Sequence, residues 1–160
     1  MDAIELLETQ HEEVKQLFKK CEKARGESKR QLFEQIADAL AVHASIEEKH
    51  FYPATKSART EDLLQEAVEE HLSVKRIIAD LLDMNPAESQ FDAKITVLQE
   101  QVEHHVKEEE GDLFPKVKKL LSKQELEDLG LVMEDAAEEL ESGGAPRAAV
   151  PGETGKAAPI

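Results

Sequence analysis

The sequence predicts an all-α protein, an up-down-up-down four-helix bundle built from two repeated helical hairpins, followed by a C-terminal fifth helix and a disordered tail. Three observations lead to this prediction. Apolar residues recur at alternating spacings of three and four, the period of a helix that buries one face. The first half of the bundle repeats in the second half. No segment shows the apolar–polar alternation of a half-buried strand.

The first two helices are indicated by long stripes on one helical face. In the first helix the stripe consists of Ile4, Leu7, His11, Val14, Phe18 and Cys21. Asp2 followed by Glu5 is typical of a capping box at its start. The second helix is expected from about Ser28 to the mid-50s, with one side formed by Leu32, Ile36, Ala39, Leu40, His43, Glu47 and Phe51.

The other helices follow the same pattern. The third opens near Thr60 and shows the stripe Leu64, Ala67, His71, Val74, Ile78 and Leu81. The run Asn85-Pro86-Ala87-Glu88 is expected to start the fourth, whose stripe is Ile95, Leu98, Val102, His105, Glu109 and Leu113. Ser122 with Glu125 is expected to cap a fifth helix that presents Leu126, Leu129, Met133, Ala136 and Leu140. Short loops between long helices predict antiparallel neighbours.

These elements divide the chain into three parts. Residues 1–121 form the predicted bundle, and residues 122–141 add the fifth helix. Residues 142–160 hold four of the seven Gly and three of the six Pro and show no apolar period, which predicts a disordered tail. Pro53 and Pro115 are each expected to kink or end a helix.

An internal repeat singles out particular histidines. At an offset of 60 residues the first helix aligns with the third, and His11 falls on His71. At an offset of 62 the second helix aligns with the fourth, and both share the frame His-x-x-x-Glu-Glu-x-x-(Phe/Leu)-(Tyr/Phe)-Pro, which begins at His43 and at His105. The chain therefore contains two copies of one helical hairpin.

The repeat predicts a metal centre in the core. Residues i and i+4 lie about 40° apart on a helix face and about 6 Å apart along its axis, so each frame presents an imidazole and a carboxylate to the same interior point. Six polar groups buried without partners would cost more than the net stability of a domain. The predicted ligands are His11, His43, Glu47, His71, His105 and Glu109.

The other candidate residues have less specific interpretations. His104 lies in a polar row and is expected to face solvent. His50 is expected to be partly exposed, with a supporting contact to Asp112 as the alternative. Lys15 and Lys75 are expected to extend outward and pair with acidic residues. Cys21 is interpreted as a small buried apolar residue.

Composition excludes several classes of function. The chain has 20 basic and 35 acidic side chains and a formal net charge of −15, which is unsuited to binding nucleic acid or an anionic membrane surface. A single Cys cannot form an internal disulfide and fits a reducing compartment. There is no basic, apolar leader and no run of ~18 apolar residues. We therefore expect a cytoplasmic protein.

Mixed imidazole and carboxylate ligands suit iron, with zinc or manganese less favoured. The predicted ligand set, together with the frame that follows His43 and His105, resembles the hemerythrin-like family of HHE cation-binding domains over residues 1 to about 121. By that resemblance, His11 and His43 would hold one iron and His71 and His105 the other. Glu47 and Glu109 would bridge the two ions, with an oxo, hydroxo or water ligand completing the shell.

The chain also differs from the oxygen-carrying members of that family. Lys75 stands where their third helix has a second histidine, and Glu109 comes four residues after His105 where their bridging Asp comes five residues after. A more open pair of ions favours chemistry with dioxygen, peroxide or nitric oxide, including catalase-like peroxide decomposition, over simple oxygen carriage. The alternatives are a module that stores or senses iron without turnover, and a structural bundle that takes up zinc adventitiously.

Overall fold

The computed structural model describes residues 1–160 and contains helices but no strands. The five long helices are α1 (Ala3–Lys23), α2 (Gly26–Ile46), α3 (Glu61–Leu82), α4 (Ser89–Glu108) and α5 (Lys123–Ser142). Helices α2 and α4 each continue through a π-helical turn, Glu47–Phe51 and Glu109–Leu113, into a further α-helical segment, Tyr52–Ala54 and Phe114–Leu120. The prediction of an all-α fold is confirmed.

The first four helices form the bundle as two hairpins. Helix α1 packs against α2, and α3 packs against α4. The two-residue link between α1 and α2 forces the chain to reverse, and Gly26, at a φ of 59°, adopts the left-handed conformation that this reversal requires. The two hairpins are the two copies of the repeat.

The helix ends agree with the sequence except at α4. Both predicted capping boxes form, Asp2 with Glu5 and Ser122 with Glu125. At α4, however, the Asn85 side chain accepts a hydrogen bond from the backbone of Ala87 at 2.9 Å, which makes a turn of this segment. Glu88 is the N-cap, and the helix begins at Ser89, after the expected start.

The core of the bundle consists of two apolar clusters at opposite ends. Ile4, Leu7, Phe51 and Phe114 belong to one cluster, which also includes the buried face of α5. The other cluster has 14 buried residues, among them Phe18, Phe33, Phe91 and Leu98. The polar stripe residues of the four helices lie between the clusters. The fold therefore places a buried polar layer across the middle of the bundle.

Helix α5 docks onto its own bundle, against α1 and α2. Leu126, Met133 and Ala137 are buried in the first cluster. Gly130 permits this close approach, because a Cβ at this position would lie 2.5 Å from the carbonyl oxygen of Met1.

The structure does not support the expected disorder of residues 142–160. Residues 146–153 form a 3₁₀-helix (Pro146–Glu153) that packs against α2 and α3. Val150 is 2% exposed and belongs to the second apolar cluster. Arg147 donates hydrogen bonds to Asp38 through its backbone N–H at 2.9 Å and its guanidinium at 2.8 Å. One buried apolar residue with flanking ionic contacts orders a segment whose composition alone indicates disorder.

None of these helices combines the length and the apolar character needed to span a membrane.

Candidate metal centre

The six predicted ligands meet in the polar layer between the two apolar clusters. They form two groups, each with ligand atoms within 4.8 Å of one another: His11, His43 and Glu109, and Glu47, His71 and His105. The side chains are buried, with exposures between 0% for Glu47 and 8% for His11. Each group combines residues from both hairpins, so the site exists only in the assembled bundle.

The carboxylates of Glu47 and Glu109 lie between the imidazoles. Glu47 Oε1 is 3.0 Å from His43 Nε2 and 3.1 Å from His71 Nε2. Glu109 Oε1 is 3.1 Å from His11 Nε2 and 3.9 Å from His43 Nε2, while its Oε2 is 3.4 Å from His105 Nε2. Each glutamate thus contacts histidines of both groups, as a carboxylate that bridges two ions would.

The two glutamates occupy equivalent positions in the backbone. Each is the first residue of a π-helical turn, and its carbonyl oxygen accepts a hydrogen bond from the N–H five residues on, at Tyr52 or Phe114. Pro53 and Pro115 follow directly, and each lacks the N–H that an α-helix would direct to the carbonyl four residues before it. Beyond Pro115 the helix continues to Leu120, whereas beyond Pro53 it ends one residue later, at Ala54. Single π-helical turns are frequent at functional sites.

Every imidazole is oriented by an acceptor behind it. Nδ1 of His11 lies 2.7 Å from Glu110, Nδ1 of His71 lies 2.8 Å from Glu48, and Nδ1 of His105 lies 2.8 Å from Glu70. Nδ1 of His43 lies 2.7 Å from the Gln10 side-chain oxygen. These oxygens can only accept, so Nδ1 carries the proton and Nε2 is the nitrogen that faces the centre. Such outer partners are typical of metal-binding histidines.

Sequence reasoning missed the roles of these outer partners, although the repeat contained the signal. Glu48 and Glu110 are related by the offset of 62 residues, and Gln10 and Glu70 by the offset of 60. Each pair occupies matching positions behind the histidines. Comparing all polar positions across the repeat, and not only the histidines, identifies them.

Tyr52 is a further site residue that the sequence analysis did not single out. Its hydroxyl donates a hydrogen bond of 2.7 Å to Glu109 Oε2 and lies 3.3 Å from His71 Nε2. Burial, together with the charges of Glu109 and Glu47, raises the pKa of Tyr52 well above its usual value. The phenol therefore keeps its proton and acts as a hydrogen-bond donor inside the centre.

Lys75 does not extend into solvent as expected. Its side chain is buried, and Nζ donates to both carboxylate oxygens of Glu48 at 3.0 Å. Burial would raise the pKa of Glu48, but the hydrogen bonds and charges of His71 and Lys75 outweigh burial and lower it. Lys75 therefore keeps the partner of His71 ionised. Lys15, its equivalent in the repeat, is exposed as expected.

The electrostatics of the centre favour positive charge. Burial would lower the pKa of His43, yet the nearby carboxylates of Glu47 and Glu109 raise it from 6.5 to about 9. Burial and Glu109 act to raise the pKa of Glu47, but the neighbouring histidines lower it from 4.5 to about 2. Protons on His43 and His105 would balance the two carboxylates in the absence of another cation. His43 Nε2 lies 3.0 Å from Glu47 Oε1 without forming a well-aligned hydrogen bond, and Glu47 Oε2 also has no partner, so these ligand atoms fit a bound cation.

An apolar cavity of about 40 Å³ adjoins the four histidines. Its walls are mostly aliphatic and include Val14, Leu40, Val74, Ile78 and Val102. This volume is sufficient for one or two molecules the size of water or a diatomic gas. The cavity is therefore a small, apolar space next to the candidate ligands.

The remaining candidates lie outside the centre. His104 is exposed and pairs with Glu70 and Glu108 at 3.3 Å and 3.2 Å. His50 is partly exposed, lines a surface pocket with Glu139 of α5, and makes no hydrogen bond to Asp112. Cys21 is fully buried in the second apolar cluster, as expected.

The chain is similar to known proteins in both sequence and fold. The chain is similar to a crystal structure of a hemerythrin HHE cation-binding domain-containing protein from Mycobacterium kansasii, with a TM-score of 0.81 and 28% identity over 94% of this chain and 97% of that one. This coverage exceeds the four-helix bundle, so the similarity extends into the C-terminal region. The chain is also 28% identical over 128 residues to a protein named DNA nickase from Nostoc sp. (strain PCC 7120). That match covers 79% of this chain but only 36% of the nickase.

The family assignment rests on most of the chain. Residues 2–117 match the hemerythrin HHE cation-binding domain, and this range contains both hairpins and all six predicted ligands. The HHE domain binds metal cations, and the two His/Glu groups fit such a site. The chain belongs to the hemerythrin HHE cation-binding domain family.

Proposed function

We propose that the protein is a cytoplasmic non-haem di-iron protein that binds or reduces small uncharged oxygen or nitrogen species, namely dioxygen, hydrogen peroxide or nitric oxide. The observation that supports this proposal is the joining of two His₂Glu groups through shared glutamates, directly beside an apolar cavity. Mixed imidazole and carboxylate ligands suit iron, with zinc or manganese less favoured.

Within this proposal, His11 and His43 would hold one ion and His71 and His105 the other, with Glu47 and Glu109 shared between them. Bound iron supplies the electrons and the open coordination positions for reaction with the small molecule. The outer acceptors fix each imidazole with Nε2 toward the ion, which removes the need for reorganisation when the ion binds.

The protein itself contributes positioning, a dry environment and a proton. The aliphatic cavity walls exclude ions and bulk water. The Tyr52 hydroxyl oxygen lies 2.7 Å from Glu109 Oε2 and donates its proton to that oxygen, so a hydrogen-bond donor is held inside the centre. Peroxide decomposition of the catalase type needs proton donors and acceptors that stay in place through the cycle, and Tyr52 with Glu109 provides such a pair.

Metal analysis combined with peroxide and nitric oxide titration tests the proposal. Protein loaded anaerobically with ferrous iron should hold two irons per chain and should consume peroxide or bind nitric oxide stoichiometrically. His71→Ala should lower the iron content, and His50→Ala, which removes a partly exposed histidine outside the centre, serves as the matched control.

Each other outcome has a defined meaning. Iron that loads and leaves readily without turnover would replace the proposal with iron storage or sensing. Binding of zinc with no reaction of the iron form would indicate a structural bundle. Unchanged iron content in His71→Ala would contradict the ligand assignment.

We further propose that the chain does not bind DNA, despite its similarity to part of the nickase. Its formal charge of −15 repels a polyanion. An electrophoretic shift of a DNA duplex at low salt would contradict this proposal.

A further inference from the structure

The internal repeat makes two grooves of the bundle equivalent. Exchanging the two hairpins maps α1 onto α3 and α2 onto α4, so the groove between α2 and α3 corresponds to the groove between α4 and α1. The two grooves nevertheless differ, because the chain has only one C-terminal segment to cover them.

The C-terminal segment (residues 143–160) covers the α2–α3 groove. Val150 lines the cavity next to the histidines and is 2% exposed. Glu153 pairs with Lys75 at 3.2 Å, and the carbonyl oxygen of Thr154 accepts a hydrogen bond of 3.0 Å from Arg76. These contacts on α3, together with the contacts of Arg147 on α2, hold the segment across both helices.

The equivalent α1–α4 groove is open, with a volume of about 650 Å³. Four residues line both this groove and the buried cavity: His11, Val14, Val102 and Val106. Val14 and Val102 are buried, whereas Val106 is only half-buried. Val106 therefore stands between the open groove and the metal centre.

We propose that small molecules reach the metal centre through the α1–α4 groove past Val106, while the C-terminal segment closes the equivalent α2–α3 groove. This inference rests on the proposed function for the identity of the molecules, but the route itself is a property of the metal-free protein.

The charge of the groove favours neutral molecules. Its rim has four acidic and two basic side chains: Glu8, Glu12, Glu103, Glu110, Lys15 and Lys107. An anion approaching this rim is repelled, and the repulsion weakens as salt screens it. Dioxygen, peroxide and nitric oxide are uncharged and experience no such barrier.

Tyrosine fluorescence gives a test that does not depend on metal chemistry. Tyr52 is the only tyrosine and the chain has no tryptophan, so the emission of the metal-free protein reports on the centre alone. Dissolved oxygen under pressure serves as the neutral quencher and iodide as the anionic one. The bimolecular quenching constant measures how readily each reaches Tyr52.

Three substitutions test whether the quenchers enter through the α1–α4 groove. Val106→Phe should lower the quenching constant for oxygen several-fold, and Val106→Ala should raise it. Val106→Ala installs the residue that already occupies the equivalent position, Ala44, and it still tests the route if the larger residue disrupts folding. Val97→Phe, on the exposed face of the same helix, is the matched control and should leave quenching unchanged.

Opening the closed groove provides the complementary test. Val150→Ala should raise the quenching constant and should restore quenching in the Val106→Phe background. Iodide should quench less efficiently than oxygen in the wild type, with the difference narrowing at high salt.

The results distinguish the route from the function. The route is overturned if both Val106 variants quench like the wild type, or if Val106→Phe has no more effect than Val97→Phe. The proposed function would be refuted if iron-loaded protein did not bind nitric oxide. If quenching of the metal-free protein still followed the expected order, that result would not contradict the route.

Discussion

Removing the metal should make the stability of the protein depend on pH in the neutral to alkaline range. In the metal-free centre, protons on His43 and His105 would balance the charges of Glu47 and Glu109. The pKa of His43 is raised from 6.5 to about 9 because those carboxylate charges outweigh burial. The pKa of His105 is raised for the same reason.

The size and direction of the effect follow from the difference in pKa between the folded and unfolded states. A group with a raised pKa in the folded state contributes stability that is fully present below its unfolded pKa of 6.5 and is lost as the pH rises through about 9. For His43 this difference corresponds to about 3 kcal/mol. A loss of this size is a large part of the roughly 5–15 kcal/mol that stabilises an ordinary domain.

Urea denaturation of metal-free and metal-loaded protein at a series of pH values measures this loss. The metal-free protein should lose stability steadily above pH 6.5. The metal-loaded protein should not, because the ion has displaced the protons. His50→Gln, at a partly exposed histidine outside the centre, should reproduce the wild-type slope. Metal-free stability that stays constant through this range, or an identical slope in both forms, would refute the reasoning.

Three further substitutions test separate parts of the structure. Gly130→Ala should destabilise the protein by about 1–3 kcal/mol, because its Cβ would lie 2.5 Å from a backbone oxygen of the N-terminus, and an unchanged melting temperature would contradict the close approach. Tyr52→Phe should slow peroxide consumption while iron content stays the same, because it removes only the hydroxyl that donates to Glu109; unchanged kinetics would exclude this role. Glu70→Gln should weaken iron binding by about tenfold or more, since Glu70 orients His105, and equal affinity by equilibrium dialysis would count against the outer acceptors.

The bundle and its six candidate ligands could be predicted because their determinants are local and are repeated. Helical period follows from residues three and four apart, and the repeat shows which histidines share a phase. His11 and His71 occupy stripe positions where an aliphatic residue is expected, and the structure places both in the buried layer. His104 falls outside the stripe and is exposed.

The environments of Lys75 and of the C-terminal segment could not be read in the same way, because they depend on contacts between distant parts of the chain. Lys75 is buried through its pairing with Glu48 on another helix and with Glu153, which is 78 residues away. The C-terminal segment has no period of its own, and Val150 is its single buried anchor. Neither contact leaves a pattern in a short window of sequence.

The π-helical turns show a third kind of limit. Pro53 and Pro115 correctly indicate that an α-helical hydrogen bond is lost after each glutamate. The sequence alone does not decide whether the helix kinks, ends or widens, since all three relieve the missing N–H. In the structure both helices widen into a π-helical turn before the proline, and then one ends at Ala54 and the other continues to Leu120.

The departures from symmetry assign different tasks to the two sides of the centre. The side of His11 borders the open α1–α4 groove, so under the proposed route small molecules arrive there. The opposite side holds Lys75 beneath the C-terminal segment. Tyr52 stands on that closed side, against His71, while its repeat equivalent Phe114 stacks on His11 and has no hydroxyl. Under the proposed function and route, the duplicated hairpin supplies the metal ligands in pairs, whereas the access groove and the Tyr52 hydroxyl are each present once, on opposite sides of the centre.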